Sequence, residues 1–293
     1  MPAERRPTRL LLAYATEQEA LNHLVKSAPP VPDETATVTS TWRAAVSALS
    51  TEGSRPVLEP DAKPLPKGLE AWAQRVGETA AFQFLLGNLR PEYGVLSIGK
   101  LIAVQKFVYA ESRSDVEAVN PSDIAGLFRL TTPEPALVQR VTVKDQASLS
   151  YTMASENPNL RIGGMVESEH VVATASGAQM PLHVYGFFVT FGGPWMHVAR
   201  FQGRWFLRDG YHRAYNLLKR GIDRIPCVIV SANSLEDLGF VRPGFVGPEV
   251  LLGDRPPMVG DFVDDSRAVD GSIVPVRKVV RIRAEEFVIT SDD

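Results

Sequence analysis

The chain has 293 residues, of which 44% are hydrophobic and 22% charged, and it carries a net charge of −3. Such a length holds one large domain or two modest ones of ~100–150 residues, and the composition excludes a disordered or fibrous protein. The weak negative charge excludes a global attraction to nucleic acid or anionic lipid, so a polyanion would have to be held by a local patch.

Residues Arg9 to Tyr14 form an apolar run expected to be a buried strand, and Thr16-x-x-Glu19 ahead of Ala20, Leu21, Leu24 and Val25 has the form of a capping box opening a short helix. The run from Leu10 to Ala15 is too short for a signal sequence, and no later stretch reaches the ~18 apolar residues of a membrane span. A soluble, cytoplasmic protein is therefore expected. Residues 51–68 (TEGSRPVLEPDAKPLPKG) hold prolines at 56, 60, 64 and 66 and read as a linker or extended arm. Leu69 to Leu89 has helical spacing at Trp72, Val76, Ala80 and Phe84.

A β-rich run at Val95–Ile98 then leads to Leu101 and Gln105, and Pro133, Pro135 and SENPNLRIGG (155–164) break the middle of the chain into short elements. From Pro181 the pattern is strongly β: PLHVYGFFVTF, then MHVARF and RWFL around Gln202-Gly203, a hairpin turn signal. Ala214–Arg220 reads as helix, Gly221 as its stop and Ile225–Val230 as a buried strand. The lone cysteine, Cys227, lies in that strand, which excludes a disulfide framework and a cysteine-rich zinc site and fits a buried thiol in a reducing compartment. After Asn233 glycines and prolines mark loops, and VRKVVRIRAEEFVIT near the end reads as an edge strand or ribbon. The fold class expected is α+β: a small mixed sheet, a β-hairpin–helix–strand module, and extensions at both ends.

The stretch RDGYHRAYNLLKRG (208–221) carries the chemistry. A helix start bears about +0.5 charge and unpaired N–H groups and can hold an anion. Gly210 would let the backbone approach a ligand closely, Arg213 would offer a bidentate fork to phosphate, and His212 would be a second donor or proton carrier. The plainer alternative makes Asp209 an N-cap, Gly210 a turn residue and Arg213 a solvent-facing helix residue. Between His197 and Arg224, seven basic residues (Arg200, Arg204, Arg208, Arg213, Lys219, Arg220, Arg224) stand against Asp209 and Asp223, a local excess of five positive charges. This makes either a basic patch or charges scattered over several faces.

GRWFLRDGYHRAYNLLKRGIDRIPCVIV resembles the core motif of the ParB/sulfiredoxin superfamily, in which a strand leads to a Gly-x-x-Arg turn, a helix, a glycine and an Ile-Pro-x-x-Val strand. Asp209, Gly210, His212, Arg213, Ala214, Gly221, Ile225, Pro226 and Val230 fall on that pattern, PWMHV (194–198) resembles the strand before it, and SIGKLIAVQKFV is similar to the start of such domains, with Leu101 and Gln105 in place. The resemblance implies a ParB/sulfiredoxin-like core over 69–235 with an insertion at about 109–190, flanked by 1–68 and a β-rich 236–293, in a bacterial-type protein. It also implies that Gly210, Tyr211, His212, Arg213 and Gln105 bind nucleotide or nucleic-acid phosphate, with His212 and Asp209 catalytic and Mg2+ with ATP or CTP as cofactor. Tyr211 stands where sulfiredoxins have their cysteine, and no helix-turn-helix pattern follows residue 230. The form Asp-Gly-x-His-Arg is nearest to the nuclease and serine-kinase branches, which implies phosphotransfer, nucleotide hydrolysis or nuclease activity. Glu111, Glu167 and Glu169 are candidates for a general base, and none is assigned.

Glu167-Ser-Glu169-His170 would put both carboxylates on one face of a strand and the imidazole on the other, which disfavours a joint ligand set. Asp261, Asp264, Asp265 and Asp270 form an acidic loop without calcium-loop spacing, read as a solvated turn. The alternative function is a noncatalytic binding or scaffold module for a protein or DNA partner, with FVRPGFVGPEVLL (240–252) as an exposed apolar stretch.

Overall fold

The computed structural model describes residues 4–27, 29–134, 142–144, 150–155, 160–173, 177, 179–190, 193–238, 245–275 and 278–283. The fold is α+β. The first part of the chain runs β1 (Arg6–Leu11), α1 (Glu17–Leu24), α2 (Pro32–Thr51), β2 (Lys63–Pro64), α3 (Glu70–Gly77), α4 (Ala80–Leu86), β3 (Glu92–Ser97), β4 (Ile102–Ala103), β5 (Phe107–Tyr109), α5 (Ser114–Glu117) and α6 (Ile124–Thr131). Four strands follow: β6 (Thr142–Lys144), β7 (Ser150–Ser155), β8 (Arg161–Ala173) and β9 (Gln179–Thr190). The last part runs β10 (His197–Phe201), β11 (Arg204–Asp209), α7 (Tyr211–Lys219), β12 (Arg224–Ser231), α8 (Leu235–Leu238), α9 (Pro248–Leu251), β13 (Ala268–Ile273) and β14 (Lys278–Arg283).

The chain forms two compact units, Met1–Pro135 with Gly193–Val274, and Ala136–Gly192 with Pro275–Asp293. In the larger unit a six-stranded mixed sheet has the order β2-β3-β12-β10-β11-β4. β12 is parallel to β10 and antiparallel to β3. All six residues Ile225–Val230 of β12 are buried, as expected for a central apolar strand covered on both faces. The amphipathic α7 contributes Tyr211, Ala214, Tyr215 and Leu217 to the main core. A second cluster joins Val76, Phe82 and Leu86 of α3 and α4 to Trp195 and Val228. A separate antiparallel sheet, β13-β1-β5, packs Leu10 with Leu12, Ala20 and Val38 of the chain around α1 and α2.

The smaller unit holds the sheet β14-β7-β6 and the two-stranded ribbon β8-β9. Its core is small: Met153, Leu160 and Val280, with Val189 and Ile282 against them.

Several local readings hold. Thr16 Oγ1 accepts the Glu19 N–H at 3.2 Å while Glu19 Oε2 accepts the Thr16 N–H at 2.7 Å, closing the capping box of α1. Gln202 and Gly203 both take positive φ, +49° and +72°, the primed turn that matches strand twist. Gly221, φ +74°, ends α7 with Ile222 N–H on Leu217 O and its own N–H on Leu218 O, a Schellman motif. β14 is an edge strand; residues 276–277 and 284–290 of that stretch lie outside the described residues.

Others are corrected. The first strand stops at Leu11, and Leu12–Tyr14 is a 3-10 turn. Leu69–Leu89 is two helices, because Thr79, in extended backbone, accepts the Phe82 N–H and starts a new one. The buried positions are consequently Ala73, Val76, Phe82 and Leu86, and Phe84 is exposed. The proline-rich stretch is a docked arm: Arg55 N–H donates to Asp254 O at 2.8 Å and Pro60 O accepts the Ser97 N–H at 2.7 Å. The 20-residue α2 has no counterpart among the elements expected from sequence; it buries only Val38 and is rich in Thr, Ser and Ala, so its apolar periodicity is faint.

Candidate functional site

β11 delivers Asp209 and Gly210 to the start of α7. Gly210 has φ +97°, and a Cβ there would lie 2.5 Å from Met196 Cγ and 3.2 Å from Met196 Cα. Close packing of β10's lead-in therefore demands glycine on two grounds, conformation and space. Gly210 itself occupies the N-cap position with no side-chain cap. Asp209 is not the cap; it ends β11, and its Oδ1 accepts the Gly210 N–H at 2.7 Å.

Tyr211 is 2% exposed. Its hydroxyl accepts the Val104 N–H at 2.7 Å and donates to Leu207 O, and burial pushes its pKa up. The ring is a pin joining α7 to β11 and to the segment after β4. Gln105, next along that segment, bridges to Phe245.

His212 Nδ1 accepts the Tyr109 N–H from β5 at 3.1 Å, and the ring lies 5.0 Å from the Tyr109 ring. Burial, with Arg113 and Arg6 nearby, lowers its pKa to about 4, so it is neutral at pH 7 with the proton on Nε2. As a neutral ring it keeps one N–H donor, on Nε2, and brings no positive charge to an anion.

Arg213 donates from Nη1 to Leu130 O at 2.7 Å and from Nη2 to Pro194 O. Burial lowers its pKa to about 10, which leaves it charged at pH 7. The head group is neither solvent-facing nor open; it satisfies the end of α6 and the approach to β10.

The same holds for the surrounding cations. Arg204 donates to Leu251 O and Gly253 O, Arg220 to Val116 O and Val119 O, and Arg224 to Asp61 O, while Arg200 pairs with Glu92. Of the seven basic residues, Arg204, Arg213, Arg220 and Arg224 bond main-chain carbonyls and Arg200 pairs with Glu92, so most of these guanidinium groups are engaged within the fold.

Among the base candidates, Glu111 lies in the same unit as α7. Its carboxylate is gripped by Arg6, which holds it below the usual carboxylate range. Glu167 and Glu169 lie on β8 in the smaller unit, at positions that alternate with His170, whose Nε2 is 3.1 Å from Ser168 Oγ. In the acidic loop, Asp261 is 3% exposed and takes both Nη groups of Arg55 at 2.6 Å, Asp265 and Asp270 take Arg9, and Asp264 takes Ser266. Asp264, Asp265 and Asp270 are solvent-exposed, as the solvated reading has it, and Asp261 alone is buried. Among the described residues no group of three or more His, Cys, Asp or Glu is placed to hold a metal ion. Val246 and Leu251 are buried, so 245–252 is not an exposed apolar stretch; residues 240–244 of it lie outside the described residues except as sequence.

Sequence reading missed His197. It faces Asp209 across the hairpin, is 7% exposed, and its Nε2 has no hydrogen-bond partner; burial lowers its pKa to about 3. The apolar run MHVARF conceals it, since a histidine there differs little in pattern from a core residue. Missed too was the ribbon's surface. Ten of the fifteen exposed large apolar side chains belong to the smaller unit, eight of them on β8 and β9: Ile162, Met165, Val171, Met180, Leu182, Val184, Tyr185 and Phe187.

Among the described residues no helix is long and apolar enough to cross a membrane. Comparison of the chain with protein-family models, with curated proteins and with solved structures finds no match.

Proposed function

We propose that this chain is a noncatalytic binding module, a ParB/sulfiredoxin-like core carrying an inserted β-ribbon as its partner-binding element. The observation that carries this reading is the ribbon, with eight large apolar side chains between 38% and 65% exposed on its two strands. The register divides them between the two faces of the ribbon, Met180, Leu182 and Val184 on one and Ile162, Met165, Val171, Tyr185 and Phe187 on the other, so apolar side chains are exposed on both faces, and exposed apolar surface of this kind marks an interaction site. The opposite condition at α7 supports the same reading, because the Tyr211 hydroxyl, His212 Nδ1 and both Nη groups of Arg213 bond the protein's own backbone. Asp209, the one carboxylate of that turn, accepts the Gly210 N–H through Oδ1, a bond with which a magnesium ion would have to compete. The buried thiol of Cys227, pushed up to about 12 by desolvation, agrees with the reducing, cytoplasmic setting we assign.

One observation favours the second reading, phosphate binding with phosphotransfer or nuclease chemistry: α7 begins with no side-chain cap behind a glycine, which leaves a helix start suited to an anion. Calorimetric titration of ATP and CTP with magnesium, and of a DNA duplex, separates the two. The module reading expects no nucleotide binding, and a partner held by the wild type but lost when Val184 and Phe187 become serine. A magnesium-dependent dissociation constant below ~100 μM, about −5.5 kcal/mol, that is lost in His212→Ala would overturn it.

A further inference from the structure

The two strands of the ribbon differ in one respect that bears on what covers them. β9, Gln179–Thr190, contains no Asp, Glu, Lys or Arg in twelve residues, whereas β8 carries Arg161, Glu167 and Glu169. Among the described residues neither strand pairs with a third, so within them each has one unpaired edge. Exposed edges are normally blunted by charges, bulges or proline. The β8 edge has its carboxylates and a register shift between Ile162 and Gly164, but β9 has only Pro181 near one end. A two-stranded ribbon in water is at best marginally stable, and a sheet of three or more strands is needed for independent stability.

Resting on the binding-module reading, we propose that the partner of this edge is a second copy of the chain, with β9 pairing antiparallel to β9 of the other copy about a two-fold axis near Val184. The result is a continuous four-stranded sheet, β8-β9-β9-β8. With the axis at Val184, each Tyr185 stands opposite the other copy's His183, each Phe187 opposite Pro181 and each Leu182 opposite Gly186, so no charged residue meets another. The same operation on β8 about Ser168 would set Glu167 against Glu169, like charges directly opposite, which destabilises a strand pair. Charge therefore selects β9 over β8 as the self-pairing edge. The pairing would join the main chain of β9 to its copy and bring together the side chains flanking it, the kind of contact from which a specific interface of ~800 Å2 per partner is built. A two-fold interface uses the same patch on both subunits, which a charge-free strand satisfies without complementary groups.

Sedimentation velocity of the full chain from ~1 to ~100 μM tests this. The wild type is expected to be a dimer, Val184→Lys a monomer with dimer dissociation raised at least ~100-fold by opposed ammonium groups, and Glu167→Lys on β8 a dimer like the wild type. Circular dichroism checks that each variant is folded. An independent arm uses the burial of Cys227, the lone native cysteine: single cysteines introduced at 182, 183, 184, 185 and 186 are oxidised with copper phenanthroline. Cross-linking should peak at Val184→Cys, because residues opposite one another in an antiparallel pair bring their Cβ atoms within ~5.5 Å. A wild type that stays monomeric, or a dimer that Val184→Lys leaves intact and whose cross-links show no maximum near 184, overturns the proposal. A monomeric wild type would leave the binding-module reading to its nucleotide titration. Nucleotide binding at α7 would sink that reading without altering the sedimentation result.

Discussion

Arg213 Nη1 donates to the carbonyl oxygen of Leu130 at 2.7 Å. Leu130 lies in the last turn of α6, where carbonyls have no partner within the helix, and Pro194, the second acceptor, precedes β10. A residue expected to grip a ligand thus holds two parts of the fold together. Arg213→Ala should cost about 2–4 kcal/mol, the loss of charged hydrogen bonds plus two unsatisfied carbonyls. Arg213→Lys should cost less, since one ammonium retains some of the bonding but not the planar fork. Urea unfolding of both variants checks the ranking.

Gly210→Ala should destabilise by about 2–4 kcal/mol, combining a left-handed φ with the clash against Met196. A control at Gly203, where a Cβ meets nothing within 4 Å, isolates the conformational part of that cost. Gly203→Ala should therefore cost only about 1 kcal/mol. Equal losses at the two sites would show that Met196 packing is unimportant.

Three histidines, His23, His197 and His212, have their pKa lowered by burial to about 4, 3 and 4. In the unfolded chain each titrates near 6.5, so on acidification the unfolded state binds protons that the folded state refuses. Stability is complete above about pH 6.5 and falls as pH drops toward 4, with a slope of up to about 1.4 kcal/mol per pH unit for each histidine. Denaturant midpoints between pH 7.5 and 4.5 measure that slope. His212→Asn should reduce it by one proton, and a flat profile in the wild type would contradict the buried neutral state.

Asp261 and Arg55 join the proline-rich arm to the turn before β13 through two hydrogen bonds of 2.6 Å, and the carboxylate also accepts the Met258 N–H at 2.8 Å. Removing one partner leaves the other charge desolvated, a loss of about 3–5 kcal/mol for a buried pair. Arg55→Ala should reach that range, because it leaves the buried Asp261 carboxylate without its counter-charge, and Asp261→Ala should fall below it, because the arginine left behind is the more exposed of the two. A double-mutant cycle read by thermal unfolding gives the coupling, and limited proteolysis should cut residues 51–60 sooner in either variant.

Features governed by a few adjacent residues were legible in the sequence. Thr16 with Glu19, Gln202 with Gly203, and Gly221 after α7 each obey a rule written within about six residues, and the apolar run of β12 announces a central strand. The helix break at Thr79 was masked because Trp72, Val76 and Ala80 keep helical spacing across it, and α2 because little of it is buried. The candidate site was legible as a set of residues but not as a set of roles.

Sequence by itself determined the α+β class, the hairpin–helix–strand module and the glycine at position 210. Tertiary structure alone decided what Arg213, His212 and Asp261 do, since their partners lie 83, 103 and 206 residues away along the chain. The physical reason is that a buried donor or charge must find an acceptor wherever the fold leaves one unsatisfied. Helix ends and strand approaches supply such carbonyls at distances that no local pattern records. The edge of β9, unpaired among the described residues, follows the same logic, for whether a strand is central or exposed depends on which other strands reach it.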